Sequence, residues 1–374
     1  MPSLAIRNLF HDRIRLFVTL TGVVFAVVLI ALQGGLFLGF SSSTTNLIQQ
    51  SGVDLWVTSK GVRYVESPVP FSERKLYTVR ATPGVAWAEK HILMFTRWKH
   101  PDGSEEGVQV VGFNIERGAG GPYNMVEGRI EDLNQPDAVI IDQLYKKKLG
   151  VTEVGQLFEI RGHRARVVGF TNGIRTFTTA PAVFTTFKRA QDFSGLDGDR
   201  ADYILVKAVP GADLQQVKRD ILERVDGVDV HTVAEFASIT RAYWLFGTGA
   251  GVTVLIAAGL GLIVGVVVVA QTLYATTMDH LREFGTLKAI GASNGYIYRI
   301  IVKQAVIAAL IGYGFGIAIS FFAVWKARNA AAALLLPWQM AVALLVLTVA
   351  MCVGASLVSI HKATGIDPAM VFRG

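Results

Sequence analysis

AYWLFGTGAGVTVLIAAGLGLIVGVVVVAQTLYATTM (Ala242–Met278), then DHLREFGTLKAIGAS (Asp279–Ser293), then NGYIYRIIVK (Asn294–Lys303), is the stretch that decides the fold. Its first 37 residues carry no charged side chain. As one helix they would run about 55 Å at ~1.5 Å per residue, well beyond the ~30 Å hydrocarbon core of a bilayer. The expectation is a helix that crosses a membrane and projects beyond it. A short charged segment punctuated by glycine follows, and apolar sequence resumes after Lys303. A long rod joined to a small charged loop is suited to passing force across a membrane.

The rest of the chain agrees. Of its 374 residues 51% are hydrophobic, too many for an ordinary water-soluble protein of this length. Four stretches lack Asp, Glu, Lys, Arg and His: Leu16–Val53, Ala242–Met278, Gln304–Trp325 and Asn329–Ile360. The membrane-embedded parts are placed near 17–40, 247–273, 304–325 and 337–359. The class expected is a membrane α-helical protein with four transmembrane helices. An α+β extracytoplasmic domain is inserted between the first and second span.

Charge fixes the orientation. Ser41–Tyr243 holds 25 basic and 25 acidic residues, leaving 11 basic and 4 acidic ones beside the spans. Arg7, Arg13, Arg15, Arg282, Lys288, Arg299, Lys303, Lys362 and Arg373 fall on one side, Lys326 and Arg328 on the other. Basic flanks stay inside, so both termini and the 279–303 loop are placed in the cytoplasm and the neutral block in the periplasm of a bacterial inner membrane. The net charge of +7 follows topology, so nucleic acid is not an expected partner; membrane lipids are. Trp244, Trp325 and Trp338 fall at outer span ends, where indoles favour the interface. Cys352 is the sole cysteine, so no disulfide within the chain braces the outer domain.

In order, residues 1–16 read as a cytoplasmic amphipathic helix with Leu4, Leu9 and Ile14 among basic residues. The first transmembrane helix with an outer extension covers 17–53. Two strand–helix–strand units follow. One begins at DLWVTSKG (Asp54–Gly61), continues through a helix capped by Ser72 and ended by Pro83-Gly84, and returns at VAWAEKHI. The other begins at DYILVKAV (Asp202–Val209). Its helix is capped by Asp213 with Leu214, Val217, Ile221 and Val225 as the buried stripe, and the chain returns at VDVHTV. Two such units make a split βαβ, ferredoxin-like sheet, so 54–113 plus 199–233 form one outer lobe. Residues 114–198 form an inserted, mostly-β lobe with strands at Ala138–Asp142, Leu157–Ile160 and Ala165–Phe170. Residues 234–278 are the stalk and second span, with HTVAEFASITRAYWLF (His231–Phe246) entering it as helix. Then come the 279–303 loop, spans at 304–325 and 337–359, and a cytoplasmic tail, 360–374.

Catalytic chemistry finds no footing. Neither G-x-x-x-x-G-K-[ST] nor G-x-G-x-x-G occurs, so any ATP and Mg must be bound by another chain. GASNG (Gly291–Gly295) fits G-x-S-x-G, but a nucleophile elbow needs a preceding strand and here a charged helix precedes it. His91, His100, His163 and His231 are scattered, with no H-E-x-x-H, so no catalytic, cofactor or metal site is expected. The basic clusters Arg161–Arg166 and Lys146–Lys148 read as solvated faces of a charge-balanced domain. Glycines four apart at 35/39, 247/251, 261/265 and 312/316 let transmembrane helices approach closely, within one subunit or between two. Gly247, Gly251, Gly261 and Gly265 are the expected packing positions of the second span. In the loop, Leu281, Phe284 and Leu287 share one side of a helix, opposite Asp279, Arg282 and Glu283.

AIRNL (Ala5–Leu9), REFGTLKAIGAS (Arg282–Ser293) and DPAMVFRG (Asp367–Gly374), with the four-span layout, resemble the MacB/FtsX-like (type VII) ABC transporter permease family across the whole chain. PFSERKLYTV (Pro70–Val79) and the length are most similar to its DevC-like branch. The resemblance implies a non-catalytic permease of an ABC exporter that works by mechanotransmission. It would act as a homodimer on two separate ATPase subunits that hold ATP and Mg, with a periplasmic adaptor and an outer-membrane channel as further partners. The alternatives are a lipoprotein-release permease and an FtsX-like scaffold that activates a cell-wall hydrolase. Arg282, Glu283, Gly285, Lys288 and Gly291 are then the residues expected to couple to the ATPase.

Overall fold

The computed structural model describes residues 13–196, 198–279, 286, 288, 290–328, 330 and 333–364. It contains two compact units. One comprises 1–39, 252–328 and 334–374, and the other 40–251 with 329–333.

The membrane unit is built from four long helices: α1 (Arg13–Ser43) and, beyond the inter-span domain, Ala250–Asp279, Asn294–Ala327 and Trp338–Thr364. Each contains a segment long and apolar enough to span a bilayer. Small residues set their spacing. A Cβ on Gly312 would sit 2.5 Å from Val23 Cγ1, and one on Gly316 would sit 2.7 Å from Val27. Val23, Ala26, Val27 and Ala31 of α1 meet Val269, Ala305, Ala309, Leu344 and Cys352 in one buried cluster. Hydroxyls in the apolar helices donate to carbonyls one turn back: Thr272 to Val268 O (2.7 Å), Ser320 to Gly316 O (2.8 Å) and Thr348 to Leu344 O (2.7 Å). Hydrocarbon supplies no water for an unpaired polar group, so local satisfaction is required.

The inter-span domain follows α1. It begins with a short helix, α2 (Asn46–Gln49), and its strands are β1 (Leu55–Ser59), β2 (Phe71–Ser72), β3 (Val85–Lys99), β4 (Glu105–Phe113), β5 (Met125–Glu127), β6 (Ala138–Asp142), β7 (Leu157–Ile160), β8 (His163–Thr171), β9 (Ala182–Thr186), β10 (Arg200–Ala201), β11 (Tyr203–Ala208) and β12 (Val228–Thr232). Ten of them form one sheet in the order β12-β1-β11-β3-β4-β9-β6-β8-β5, with β7 bridging β3 and β8; β2 and β10 pair separately. The stretch β12-β1-β11-β3 is antiparallel throughout, the order of a split βαβ sheet. Its helices are α3 (Lys75–Arg80), then α4 (Lys146–Leu149) and α5 (Phe187–Ser194) in the insertion, then α6 (Leu214–Arg224). Asp213 caps α6, its carboxylate accepting from Gln215 N at 2.9 Å. Leu76 and Val79 of α3 and Val217 and Ile221 of α6 pack on Leu55, Val57, Ala88, Ile204 and Val206.

The opposite face of that sheet is covered by α7 (Val233–Ala242) and α2. Ile48, Phe236 and Ala237 pack on Trp56, Leu93, Tyr203 and Leu205. A capping box starts α7: Thr232 Oγ1 accepts from Glu235 N, and Glu235 Oε2 accepts from Thr232 N. Lys218 of α6 pairs with Glu235 at 2.8 Å.

Several expected boundaries move. The helix of 17–53 stops at Ser43, where the Thr44 hydroxyl turns back to Ser41 O (2.8 Å) and the chain restarts as α2. Ser72 lies in β2, and α3 begins only at Lys75. The lobe boundary at 113/114 does not hold. β3 is 15 residues long, pairing with β11 through its first half and with β4 from Ile92 to Lys99. Val108 and Val110 of β4 enter the core of the inserted lobe beside Trp98, Val139 and Phe193. The stalk of 234–278 is interrupted. After α7, Tyr243–Gly247 winds as a π turn, Gly249 takes φ +75°, and α8 (Ala250–Asp279) begins anew. The third helix, α9 (Asn294–Ala327), starts ten residues before the expected 304, and α10 is Trp338–Thr364. Of the expected 1–16 helix only 13–16 are described, already within α1; positions 365–374 of the tail lie outside the described residues.

Candidate functional site

Two places are candidates, each within one unit. The first is the connection between α8 and α9. Arg282, Glu283 and Gly285 lie outside the described residues; Lys288 and Gly291 are within them. The amides of Ile290 and Gly291 donate to Thr286 O (3.1 Å) and Lys288 O (3.0 Å), closing a helical end. Gly291 then takes φ +102°, a conformation that side-chain-bearing residues rarely adopt, with open space around it. Ser293 caps α9, its hydroxyl accepting from Tyr296 N. Ile297, Ile300 and Ile301 are buried on the inner side of α9. Ile290, by contrast, is 80% exposed, one residue before Gly291. Ile290 is hidden within the A-I-G-A run when only charges are followed.

The small residues of the second span divide. Cβ atoms on Gly261 and Gly265 would meet α1 at Gln33 Cγ (3.3 Å) and Ala26 Cβ (3.2 Å), so this pair marks the approach of α8 to the first span. Gly247 and Gly251 lie against their own turn, facing the Tyr243 ring and the Leu245 backbone. Within this chain the nearest neighbours of that pair belong to the interruption itself.

The second place lies within the inter-span domain, where the segments bearing Tyr64 and Phe177 meet the π turn. Tyr64 stacks on Tyr243 with centroids 3.9 Å apart, and Phe177 lies 3.8 Å from Trp244. Phe40 meets Phe177 edge-on at 6.1 Å. Trp244 Nε1 donates to Glu66 Oε2 at 3.0 Å. Burial pushes the Glu66 carboxyl up to about 7, against the pull of the Trp244 and backbone hydrogen bonds. The loop bearing Phe177 is held by Asp142, fully buried, which accepts from Thr171 Oγ1 (2.9 Å) and Ile174 N (2.7 Å). Arg241 donates to Thr45 Oγ1 at 3.4 Å, tying α7 to the residues after α1. Sequence reading took Trp244 for part of an interfacial belt and passed over Tyr64 and Glu66. The carboxylate among aromatic and proline residues in RYVESPVP was the available sign.

Elsewhere, His91 is fully buried, and burial pushes its imidazole down to about 3, so it is neutral. Among the described residues no group of three or more His, Cys, Asp or Glu could hold a metal ion.

Residues 16–224 match the MacB-like periplasmic core domain, and residues 255–368 match the FtsX-like permease C-terminal domain. The chain belongs to the MacB/FtsX-like ABC transporter permease family. An uncharacterized ABC transporter permease of Mycobacterium tuberculosis is 27% identical over 99% of both chains. The macrolide export ATP-binding/permease protein MacB of Escherichia coli is 24% identical over 64% of this chain and 38% of its own length. The periplasmic region of MacB from Actinobacillus actinomycetemcomitans superposes with a TM-score of 0.40 at 10% identity, covering 50% of this chain and 94% of that one. This family member therefore has four candidate transmembrane helices with a periplasmic α+β domain between the first and second.

Proposed function

We propose that this permease is the non-catalytic membrane subunit of an exporter. It converts ATP-driven motion of a separate ATPase subunit into motion of its periplasmic domain. The reading rests on one combination: an FtsX-like membrane part whose α8–α9 connection presents an exposed Ile290 beside a fixed glycine turn, in a chain with no phosphate-binding loop. Arg282, Glu283, Gly285, Lys288 and Gly291 contact the ATPase, which carries ATP and Mg. Both termini face the cytoplasm, a placement that the basic flanks support. Two copies act together, and a periplasmic adaptor leading to an outer-membrane channel receives the cargo. Purification with co-expressed neighbouring gene products tests this reading. A bound ATPase stimulated by the permease, together with an adaptor, supports it; a bound cell-wall hydrolase without an adaptor replaces it with the scaffold role.

A further inference from the structure

The aromatic cluster around the π turn of the periplasmic domain is assembled from segments far apart in sequence, and among the described residues the carboxyl that hydrogen-bonds into it is Glu66. The π turn it grips closes through Thr248 N donating to Tyr243 O at 3.2 Å. A π turn is less favourable than α-helix, so something outside the backbone must hold it. Here Tyr243 and Trp244, its first two side chains, dock against Tyr64, Phe177 and Glu66. The next residue docked inward is Leu245, whereas Phe246 is 69% exposed. Trp244 is held on one side by Phe177 and on the other by the Glu66 carboxyl, beside the Tyr243–Tyr64 stack.

We propose that Glu66 is a proton-operated latch on this clamp: protonated, it leaves Trp244 docked and the π turn wound; ionised, it draws water to itself and frees Trp244. The carboxyl has no cation to compensate its charge, for among the described residues no Lys or Arg forms an ion pair with it. Arg63, three residues before Glu66 and exposed, forms no ion pair with it; its charge is felt at the Tyr243 phenol. The other charged and titratable groups of the surrounding elements are engaged as follows. Tyr203 of β11 donates to Val65 O at 2.9 Å. Arg175 of the Phe177 loop donates to Ala330 O at 3.0 Å, and Arg241 of α7 to Thr45. The phenols of Tyr203 and Tyr243 are raised, by burial in the first and by the Tyr64 hydrogen bond in the second, and stay neutral at physiological pH. Glu66 is thus the group in the cluster that changes charge near neutrality. What the latch does for transport rests on the mechanotransmission reading; the latch itself does not.

The test uses the full chain in lipid nanodiscs. Trp244 emission is taken as the difference between the wild type and Trp244→Phe, and titrated from about pH 5 to about pH 9. A one-proton red shift with midpoint near 7 is expected. Acrylamide quenching should rise with it, and both changes should vanish in Glu66→Gln, which keeps the docked signal throughout. Tyr64→Phe should leave the titration in place. A flat wild-type signal, or a titration that persists in Glu66→Gln, overturns the proposal. If Glu66→Gln does not fold, Glu66→Asp serves: its carboxyl sits one methylene further from Trp244, and an unmoved midpoint overturns the proposal equally. No ATPase or adaptor enters the measurement, so its failure leaves the exporter reading untouched, and loss of the exporter reading leaves the titration to be judged by itself.

Discussion

Replacing Phe236 by alanine tests whether α7 is seated on the periplasmic domain as firmly as its packing requires. The ring is fully buried, tilted against Trp56 at 5.5 Å, 6.0 Å from Tyr203, and stacked on His231 at 5.5 Å and 7°. Removing a buried phenylalanine ring costs about 3–5 kcal/mol, the lost transfer energy plus the cavity it leaves. Aromatic contacts of this kind add about 0.5–1.5 kcal/mol to burial alone, which favours the upper half of that range. Phe246→Ala is the control: at 69% exposure it should cost less than about 0.5 kcal/mol. Urea unfolding of the full chain in nanodiscs, followed by tryptophan emission, measures both. His231 supplies a second signal. Burial now holds its imidazole below the usual histidine value, with Lys218 helping and Asp229 and Glu235 opposing. Once the covering ring is gone water reaches it, and its titration, read by NMR, should move up. A Phe236→Ala chain as stable as Phe246→Ala, with His231 unmoved, would show that α7 does not lean on the sheet, and the argument would fail.

Further outcomes are expected. Asp202 is fully buried, and burial holds its carboxyl up at about 7 against the Leu93 N–H bond. Its raised folded value means stability present in acid is lost as pH climbs from about 4 to about 7, by at most about 4 kcal/mol; Asp202→Asn should flatten that slope in urea midpoints. Charge reversal by Glu283→Lys should abolish ATPase stimulation while membrane insertion survives, costing about 2–5 kcal/mol at a desolvated contact; unchanged stimulation would remove Glu283 from the coupling surface. Gly291→Val forces a β-branched residue to φ +102° and should weaken ATPase binding in pull-downs, at a backbone cost of about 1–2 kcal/mol or more. Lys147→Cys should react with an impermeant maleimide in intact spheroplasts and Lys288→Cys only after permeabilisation; the reverse order would invert the topology.

The four spans and the split βαβ sheet were legible because their signals are local. Long uncharged runs mark lipid, and a capped helix such as Asp213–Arg224 between two apolar strands marks the unit. What stayed hidden depends on contacts between distant residues. Nothing near Val85–Lys99 says that the strand changes partner at Ile92, because the choice between β11 and β4 is made by sheet pairing. The π turn was invisible for the same reason: Tyr243 and Trp244 suit an α-helix until Tyr64 and Phe177 arrive from elsewhere. In the α8–α9 connection the motif was readable, but exposure singles out Ile290, and exposure is a property of the folded chain.

β3 has an evolutionary consequence. A module boundary drawn through an exposed loop can be cut, lost or exchanged without injury to either side. Here the second lobe is grafted onto the first through an elongated strand. Deleting 114–198 alone would leave β4 and the end of β3 without their partners β9 and β7, a sticky edge inviting aggregation. A descendant that sheds the lobe must also shorten β3 from Ile92 onward and remove β4 in the same step. The second lobe is therefore tied to the first by the register of a shared strand and cannot be removed as a separate module.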